Sequence, residues 1–536
     1  MVYKLSKKEL KNKILGAWVG KSYGAMMGEP MEFHAQGEIY EGLLDIQPEA
    51  PTTWLYYEDD LYTNMAFLEI MRDKGLNASQ DDFADVFRKS DFMLWHANGQ
   101  ARQNLLEGVP PGLSGHPYYS PHADDIDFQI ECDFIGIVSP GLSEAALKIA
   151  AKVGHLMNYG DGYYAGAFLS ALYAYAYVET DRVKMIQLAL KAIPAESDYA
   201  KIIIDLLGWY AEEPNDWRAT WQKLEDKWNH DLCPWAKSDP LPLTPDVLTD
   251  SFNIQGHFNG AYILIGLLYG KGDYLKAISI CTRCGQDTDS NVANCGGIMG
   301  VILGNESLPE AVHAELAPYM DRDYHFTTLS INSATELSYQ LALENVEVNG
   351  GTVTENEISI PVQVAKHSGP CEVSFPQFAF GDIYTITPTL SPELTWHGDW
   401  KHPFLVNRWT ATVEGEQENK VDRDFMSSDQ AGDYLEVPFR GNCIYVQGNL
   451  HENFGILEAY VDGVLLQTRD MSIRPIWNGH KQATAVWITG LADGEHTLRV
   501  VVTGRKNELA TGCEIQLGRV VSYHGQIPLP SQNLSF

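Results

Sequence analysis

The chain has 536 residues, too many for one ordinary domain and enough to bury large cores. Hydrophobic residues make up 45% of it, which sets it apart from disordered chains. Lys and Arg number 38 against 71 Asp and Glu, a net charge of −33, and a field of that sign repels nucleic acid and anionic membrane surfaces.

The opening stretch, MVYKLSKKELKNKILGAWVG, has lysines but no uninterrupted apolar core and no small-residue cleavage site, so it does not read as a secretory signal. No apolar run approaches the ~20 residues a membrane span needs. The expectation is a soluble, cytoplasmic protein with no membrane and no nucleic-acid partner. Gly16, Gly20, Gly24 and Gly28 then recur every fourth residue. Glycine costs roughly 1 kcal/mol per helix position relative to alanine, so a stripe of four needs an offsetting gain, and close approach of another backbone supplies one. The stripe ends at Glu29-Pro30-Met31-Glu32.

Glu58-Asp59-Asp60 opens an expected helix over Leu61–Met71, and Asp124-Asp125-Ile126-Asp127 sits in a loop-like stretch. Acids at a helix start often do no more than cap it. Apolar spacing predicts helices over Ser143–Met157, Tyr163–Tyr177, Val183–Ile193, Tyr199–Tyr210 and Asp273–Cys284. Cys281 and Cys284 form the one close pair among eight cysteines; without a second pair at matching spacing they read as buried thiols rather than a zinc site. Asp287-Thr288-Asp289-Ser290-Asn291 follows, and leads into a second stripe, Gly296, Gly300 and Gly304. Two glycine-faced helices are therefore expected to cross tightly.

Near Asn349-Gly350-Gly351 the period changes from helical to alternating. Short runs at Tyr434–Phe439, Ile444–Val446, Leu457–Val461 and Leu498–Val502 are expected strands, with turns at Asp462-Gly463 and Asp493-Gly494. The expected fold is multidomain α plus β: an all-α domain over residues 1–347 and a jelly-roll-like β-sandwich over 348–536. Trp396, Trp400 and Trp409 could stack on sugar faces, but such residues more often fill a core or a domain interface.

The acids in the helical part are short oxygen ligands with a Ser or Thr beside them and no His, a set that suits Mg²⁺, with Mn²⁺ or Ca²⁺ as alternatives, rather than zinc. Carboxylates gathered in one place repel unless a divalent cation offsets them.

Three blocks of the chain resemble the ADP-ribosylglycohydrolase (dinitrogenase-reductase-activating-glycohydrolase-like) family. Ile14-Leu15-Gly16 through Gly24-Ala25-Met26-Met27-Gly28-Glu29-Pro30-Met31-Glu32-Phe33 is similar to the family's G-D-A-L-G-x-P-x-E-F run. Tyr57-Glu58-Asp59-Asp60-Leu61 is similar to its T-D-D-T, and Gly285-Gln286-Asp287-Thr288-Asp289-Ser290-Asn291 to its G-G-D-T-D-T-N. The resemblance implies a compact all-α domain with one or two Mg²⁺ ions. It implies Glu58, Asp59, Asp60, Asp287, Asp289 and Ser290 as metal ligands, with Glu32 beside the metals. The chain departs from the pattern at Ala25, where many members have Asp, and at Glu58 and Leu61, where threonines are expected.

The expected activity is metal-assisted hydrolysis of an N- or O-glycosidic bond in a small-molecule or glycan substrate. Glu32 or a metal-bound carboxylate would activate the attacking water, and Asp127 is the candidate acid for the leaving group. Asp125, His155, Asn158, Asp161 and Tyr163, types that grip sugar hydroxyls and faces, are the expected substrate-binding residues. The alternative is a sugar- or nucleotide-binding protein on an inactivated hydrolase scaffold. A deacylase is a third class, for which the chain has no G-x-S-x-G motif.

Overall fold

The structure is a computed structural model that describes residues 2–35, 37–44, 58–92, 94–106, 108–117, 119–120, 122–228, 254–374, 384–403, 425–472 and 481–524. By contact the chain forms two compact units. Of the described residues, the first comprises those within 1–116, 123–228 and 254–374, and the second those within 117–122 and from Tyr384 onward.

The first unit is built of helices: α1 (Lys7–Gly28), α2 (Asp59–Lys74), α3 (Gln80–Lys89), α4 (Ala97–Leu106), α5 (Asp127–Glu131), α6 (Asp133–Ile137), α7 (Ser143–Met157), α8 (Asp161–Ala176), α9 (Arg182–Ala189), α10 (Asp198–Glu212), α11 (Trp217–Trp228), α12 (Gly256–Tyr269), α13 (Tyr274–Arg283), α14 (Thr288–Leu303), α15 (Glu310–Leu316) and α16 (Ile331–Val348). No helix among the described residues is long and apolar enough to cross a membrane. Helices α1, α8, α12 and α14 are buried on nearly every face, so their sequences carry no amphipathic stripe. The expected crossing of the glycine stripes is present between α1 and α14. A Cβ on Gly20 would run into the carbonyl oxygen of Gly296, and one on Gly24 into that of Val292. Only glycine lets the two backbones meet this way. Cys281 and Cys284 are buried at the end of α13.

Beyond α16 the chain stays with the helices for a further stretch. Strand β1 (Val2–Ser6) pairs antiparallel with β3 (Glu357–Pro361), which also pairs with β2 (Thr352–Val353). Residues 362–374 then run over the helical unit, with Gln363 N–H on the Gly141 carbonyl at 2.9 Å and His367 N–H on that of Lys191 at 2.7 Å. The change of period near residue 350 thus marks a change of local structure, whereas the helical unit gathers contacts as far as Ser374.

The second unit contains two antiparallel sheets. One has the order β10 (Val464–Asp470), β9 (Ile456–Val461), β12 (Gly494–Val502), β7 (Tyr434–Gly441), β5 (Thr395–His397). The other has the order β11 (Lys481–Ile488), β8 (Cys443–Leu450), β13 (Ile515–Tyr523), β4 (Tyr384–Thr387), with β6 (Met426–Ser428) also on β13. Inward residues of both sheets, among them Leu435, Val437, Ile444, Val446, Leu498 and Val500, make one core. In β12 the alternation is clean: Leu498, Val500 and Val502 are buried, Thr497 and Arg499 exposed. Asp462 (φ 52°) and Gly463 (φ 82°) turn the β9–β10 hairpin, as their dipeptide leads one to expect. Gly494 instead opens β12, opposite Gly441. Trp400 belongs to this core and packs on Trp396 at 4.8 Å between ring centroids; Trp409 lies outside the described residues.

Candidate active site

The glycine crossing determines what the ends of α1 and α14 can touch. A Cβ on Gly28 would overlap the Thr288 carbonyl oxygen and sit 2.6 Å from Asp289 Cα, while Thr288 Oγ1 donates to the Gly28 carbonyl at 2.7 Å. The loops beyond are clasped backbone to backbone. Phe33 N–H donates to the Gln286 carbonyl at 3.0 Å and Gln286 N–H to that of Ala35 at 2.7 Å. Phe33 and Gln286 both adopt a left-handed backbone to make this clasp (φ 55° and 63°). The result is that Glu32, Asp287 and Asp289 present carboxylate oxygens within 4.8 Å of one another.

The start of α2 supplies the second group. Glu58 is its N-cap, its Oε1 accepting the Asp60 N–H at 3.3 Å, and Glu58, Asp59 and Asp60 again bring oxygens within 4.8 Å of one another. Asn64, one turn on, donates to the carbonyls of Asp60 (2.6 Å) and Ile130 (2.8 Å) and so ties α2 to α5. Ser290 joins the groups: its Oγ donates to Asp60 Oδ1 at 3.3 Å, and its N–H to Asp289 Oδ1 at 2.8 Å.

Burial first, and then neighbouring acids, push the carboxyl groups of Glu32, Glu58, Asp287 and Asp289 well above the usual carboxylate range. Asp60 moves the same way through burial, with Lys21 pulling in the opposite direction. The charges act across the two groups, Asp289 on Glu58 and Asp60 on Asp287, so this is one centre. Asp60 Oδ2 and Asp287 Oδ1 are buried with no hydrogen-bond partner. Oxygens 2.0–2.6 Å from one ion lie no more than about 5 Å apart, so each group has the span and the hard-oxygen chemistry of a Mg²⁺, Mn²⁺ or Ca²⁺ site. The residues present fit a divalent cation.

The family model for the ADP-ribosylglycohydrolases matches residues 6–340, which include both groups. The chain belongs to the ADP-ribosylglycohydrolase family. It is 25% identical over 199 residues, 34% of its length, to the A type blood alpha-D-galactosamine galactosaminidase of Flavonifractor plautii, and the match takes in 16% of that protein. Among solved structures, a chain of an ADP-ribosylglycohydrolase-related protein complex is 14% identical, with 63% of this chain and 99% of that one covered at a TM-score of 0.38. The CBM36-1 domain of a multidomain xylanase from the hindgut metagenome of Trinervitermes trinervoides is 13% identical, with 27% of this chain and all of that one covered at a TM-score of 0.18.

In this member of the ADP-ribosylglycohydrolase family the basic residues beside the motif blocks in sequence, Lys21 and Arg283, each have partners of their own. Lys21 is fully buried on α1, with Nζ on Asp133 Oδ2 at 2.9 Å; Asn294 (3.0 Å) and the Tyr173 hydroxyl also donate to Asp133. Arg283 donates its Nη1 to the carbonyls of Tyr40 and Gly42.

Around the central acids the other expected residues take varied places. Asp125 is buried, its Oδ2 3.1 Å from His96 Nδ1, and its backbone bridges Gln255. Asp127 begins α5 rather than lying in a loop, and its Oδ1 accepts the Asn98 N–H of α4 at 2.9 Å. Asn158 holds this segment, its Oδ1 accepting from Phe128 N–H (2.8 Å) and its amide donating to the carbonyls of Asp125 (2.8 Å) and Ala123 (3.1 Å). Tyr163 stacks on Phe128 with 5° between the planes, and on His155 at 4.0 Å. His155 places Nδ1 on the Ala151 carbonyl (3.1 Å) and Nε2 on Glu372 (3.0 Å). Asp161 Oδ1 accepts the Tyr199 N–H at the start of α10 (2.9 Å), and burial raises its carboxyl to about 7. Asn158, and Tyr163 through Phe128, thus brace the segment that carries Asp125 and Asp127, while His155 and Asp161 tie α7 to the 362–374 stretch and α8 to α10.

Sequence reasoning passed over Glu131, Asn98, His96, Asn259 and Glu372. Asn259 accepts from Asp287 N–H (3.4 Å) and the Asn291 amide (2.7 Å), which shapes the start of α14. Of the five, only Glu131 had a local signal, one helical turn after Asp127.

Proposed function

We propose that the chain hydrolyses an N- or O-glycosidic bond of a ribosyl or other sugar substrate in a reaction that depends on one or two Mg²⁺ ions. The observation that carries this is the centre itself: six carboxyl groups drawn together, two of them with a buried oxygen that nothing in the protein satisfies. Buried carboxylates in that state are costly unless protonated or matched by a cation. Asp59, Asp60, Asp287, Asp289 and Ser290 would hold the ion, with Glu58 supporting. A divalent cation there supplies the charge that offsets the acids and orients sugar hydroxyls.

Glu32 would take the proton of the water that attacks the anomeric carbon. Burial and the neighbouring acids raise its proton affinity, which suits a base that must accept a proton. With Lys21 and Arg283 both engaged, a neutral polyhydroxylated substrate fits this centre better than a pyrophosphate does.

Melting curves with Mg²⁺, Mn²⁺ and Ca²⁺ test the cation, on wild type and Asp287→Asn side by side, followed by a panel of N- and O-glycosides. A divalent ion is expected to raise the melting temperature of wild type alone, and wild type is expected to cleave at least one glycoside in its presence. No response to any of the three ions, with no glycoside cleaved, would leave a binding scaffold as the better reading.

A further inference from the structure

Metal-assisted water attack leaves open which group protonates the departing oxygen. The carboxylate of Asp127 sits at the start of α4, where it accepts the N–H of Asn98 at 2.9 Å and that of Ala97. A carboxylate seated on a helix N-terminus is held in place by the donors it satisfies.

Four residues on, and therefore on the same face of α5, stands Glu131. It is fully buried. Its Oε1 accepts from the Asn98 side-chain amide at 2.7 Å, and Asn98 is itself held by the Trp95 N–H on its Oδ1 at 2.6 Å. Its Oε2 is buried and has no hydrogen-bond partner. Burial, and then the Asp127 carboxylate one turn before it, favour its protonated form. Ile130, the residue before it, accepts the Asn64 side-chain amide of α2 at 2.8 Å, so Glu131 stands where α5 meets the helix that carries Asp59 and Asp60. A neutral carboxyl whose other oxygen is pinned by an amide has one site for its proton, and that site is Oε2.

We propose that Glu131 is the catalytic acid of the glycosidase reaction, an assignment that rests on the function proposed above. As the glycosidic C–O bond breaks, its electron pair goes to the leaving oxygen, which takes the proton from Glu131 Oε2. Water oxygen forms the new bond to the anomeric carbon and gives its proton to Glu32. Solvent reprotonates Glu131 and removes the proton from Glu32, so no oxidant or reductant enters.

The test uses one glycoside that the full-length wild type cleaves with Mg²⁺ present, made with an alkyl and with a 2,4-dinitrophenyl leaving group. An alkyl alcohol needs a proton to depart, whereas dinitrophenolate does not. Glu131→Gln is expected to lower kcat/KM on the alkyl glycoside ~10²- to 10⁴-fold, the usual contribution of a general acid, and on the dinitrophenyl glycoside less than ~10-fold. Its Mg²⁺-dependent rise in melting temperature should stay as in wild type. Asp127→Asn, which only weakens a cap, should lower both substrates by one common factor. Equal losses on both substrates in Glu131→Gln, no loss on either, or a leaving-group dependence in Asp127→Asn instead would each overturn the assignment while leaving the glycosidase reading standing. A wild type that cleaves no glycoside overturns both. If Glu131→Gln fails to fold, Glu131→Asp, which keeps the acid but withdraws it by one methylene, carries the same comparison.

Discussion

The carboxylate centre and the cluster around His155 are both buried in the helical unit, and both place acids where helices begin, yet their polar atoms fare differently. Around His155 the polar groups find partners within the protein: both ring nitrogens are bonded, Glu372 also accepts the Gly160 N–H at 3.2 Å, and Asp161 receives the Tyr199 N–H. In the centre, acid faces acid, and Asp60 and Asp287 each keep an oxygen without a partner. Burying a polar group unmatched costs on the order of 1–3 kcal/mol, and more for a charged one. Two such oxygens in one gathering of acids suit a cation, as proposed above. In the His155 cluster the matched groups contribute to stability on their own.

Asp60→Asn puts that contrast to its hardest test. In outer-sphere residues a substitution costs 10- to 100-fold in affinity or activity, so loss of a ligand should cost more, on the order of 10³ in kcat/KM. The metal-free protein should meanwhile melt at the same temperature or higher, since one of several mutually repelling acids has gone. Activity assays and melting curves with and without Mg²⁺ read both effects. A metal-free protein that is clearly less stable, with its Mg²⁺ response intact, would make the centre architectural and erase the difference between the two clusters.

Glu372→Gln is the mirror experiment. Here the acid is matched, so removing its charge leaves His155 buried with a weaker partner. Glu372 is partly exposed, which trims the effect below that of a fully buried pair, to roughly 2 kcal/mol of unfolding free energy. Urea denaturation should show that loss, and titration with Mg²⁺ should show an unchanged rise in melting temperature. Loss of the Mg²⁺ response in this variant would mean that the strap over residues 362–374 belongs to the site.

What could be read in advance follows the same division. The Asp59-Asp60 and Asp287-Asp289 pairs were legible because each is short and local, and the second adjoins a glycine stripe whose cost demands a close crossing. The strands of the second unit were legible because one face meets a core and the other does not, as in β12. Glu131 was not, because in Asp127–Phe134 acids and a glutamine alternate with apolar residues, and an acid in such a run resembles any partly exposed residue of a short helix. Nor was Glu372, which reaches His155 from 217 positions away along a segment with neither helical nor strand periodicity. Partners brought together by tertiary folding leave no periodic trace, and a clasp such as that between residues 33–35 and 286 depends on backbone angles that the side chains there do not announce.

The smallest expected effect is the pH dependence of the His155–Glu372 pair. Burial alone would depress the His155 imidazole, but the Glu372 carboxylate more than offsets it and raises it above the usual histidine value; the same pairing holds Glu372 below the usual carboxylate value against its own burial. A histidine raised on folding contributes stability that is fully present below its unfolded pKa of ~6.5 and is lost as pH climbs through the folded value. A glutamate lowered on folding contributes stability present above ~4.5 and lost as pH falls through its folded value. The pair therefore stabilises most between those limits. His116 beside it works in the same sense on the acid side: burial depresses it to about 4, so below ~6.5 the unfolded chain gains a proton that the folded one refuses. Urea midpoints at pH 6.5 and pH 8.5 should differ more in wild type than in Glu372→Gln, with wild type the more stable at 6.5. Equal differences in the two proteins would mean that His155 carries no charge in the fold, and that the cluster is held by hydrogen bonds and ring stacking alone.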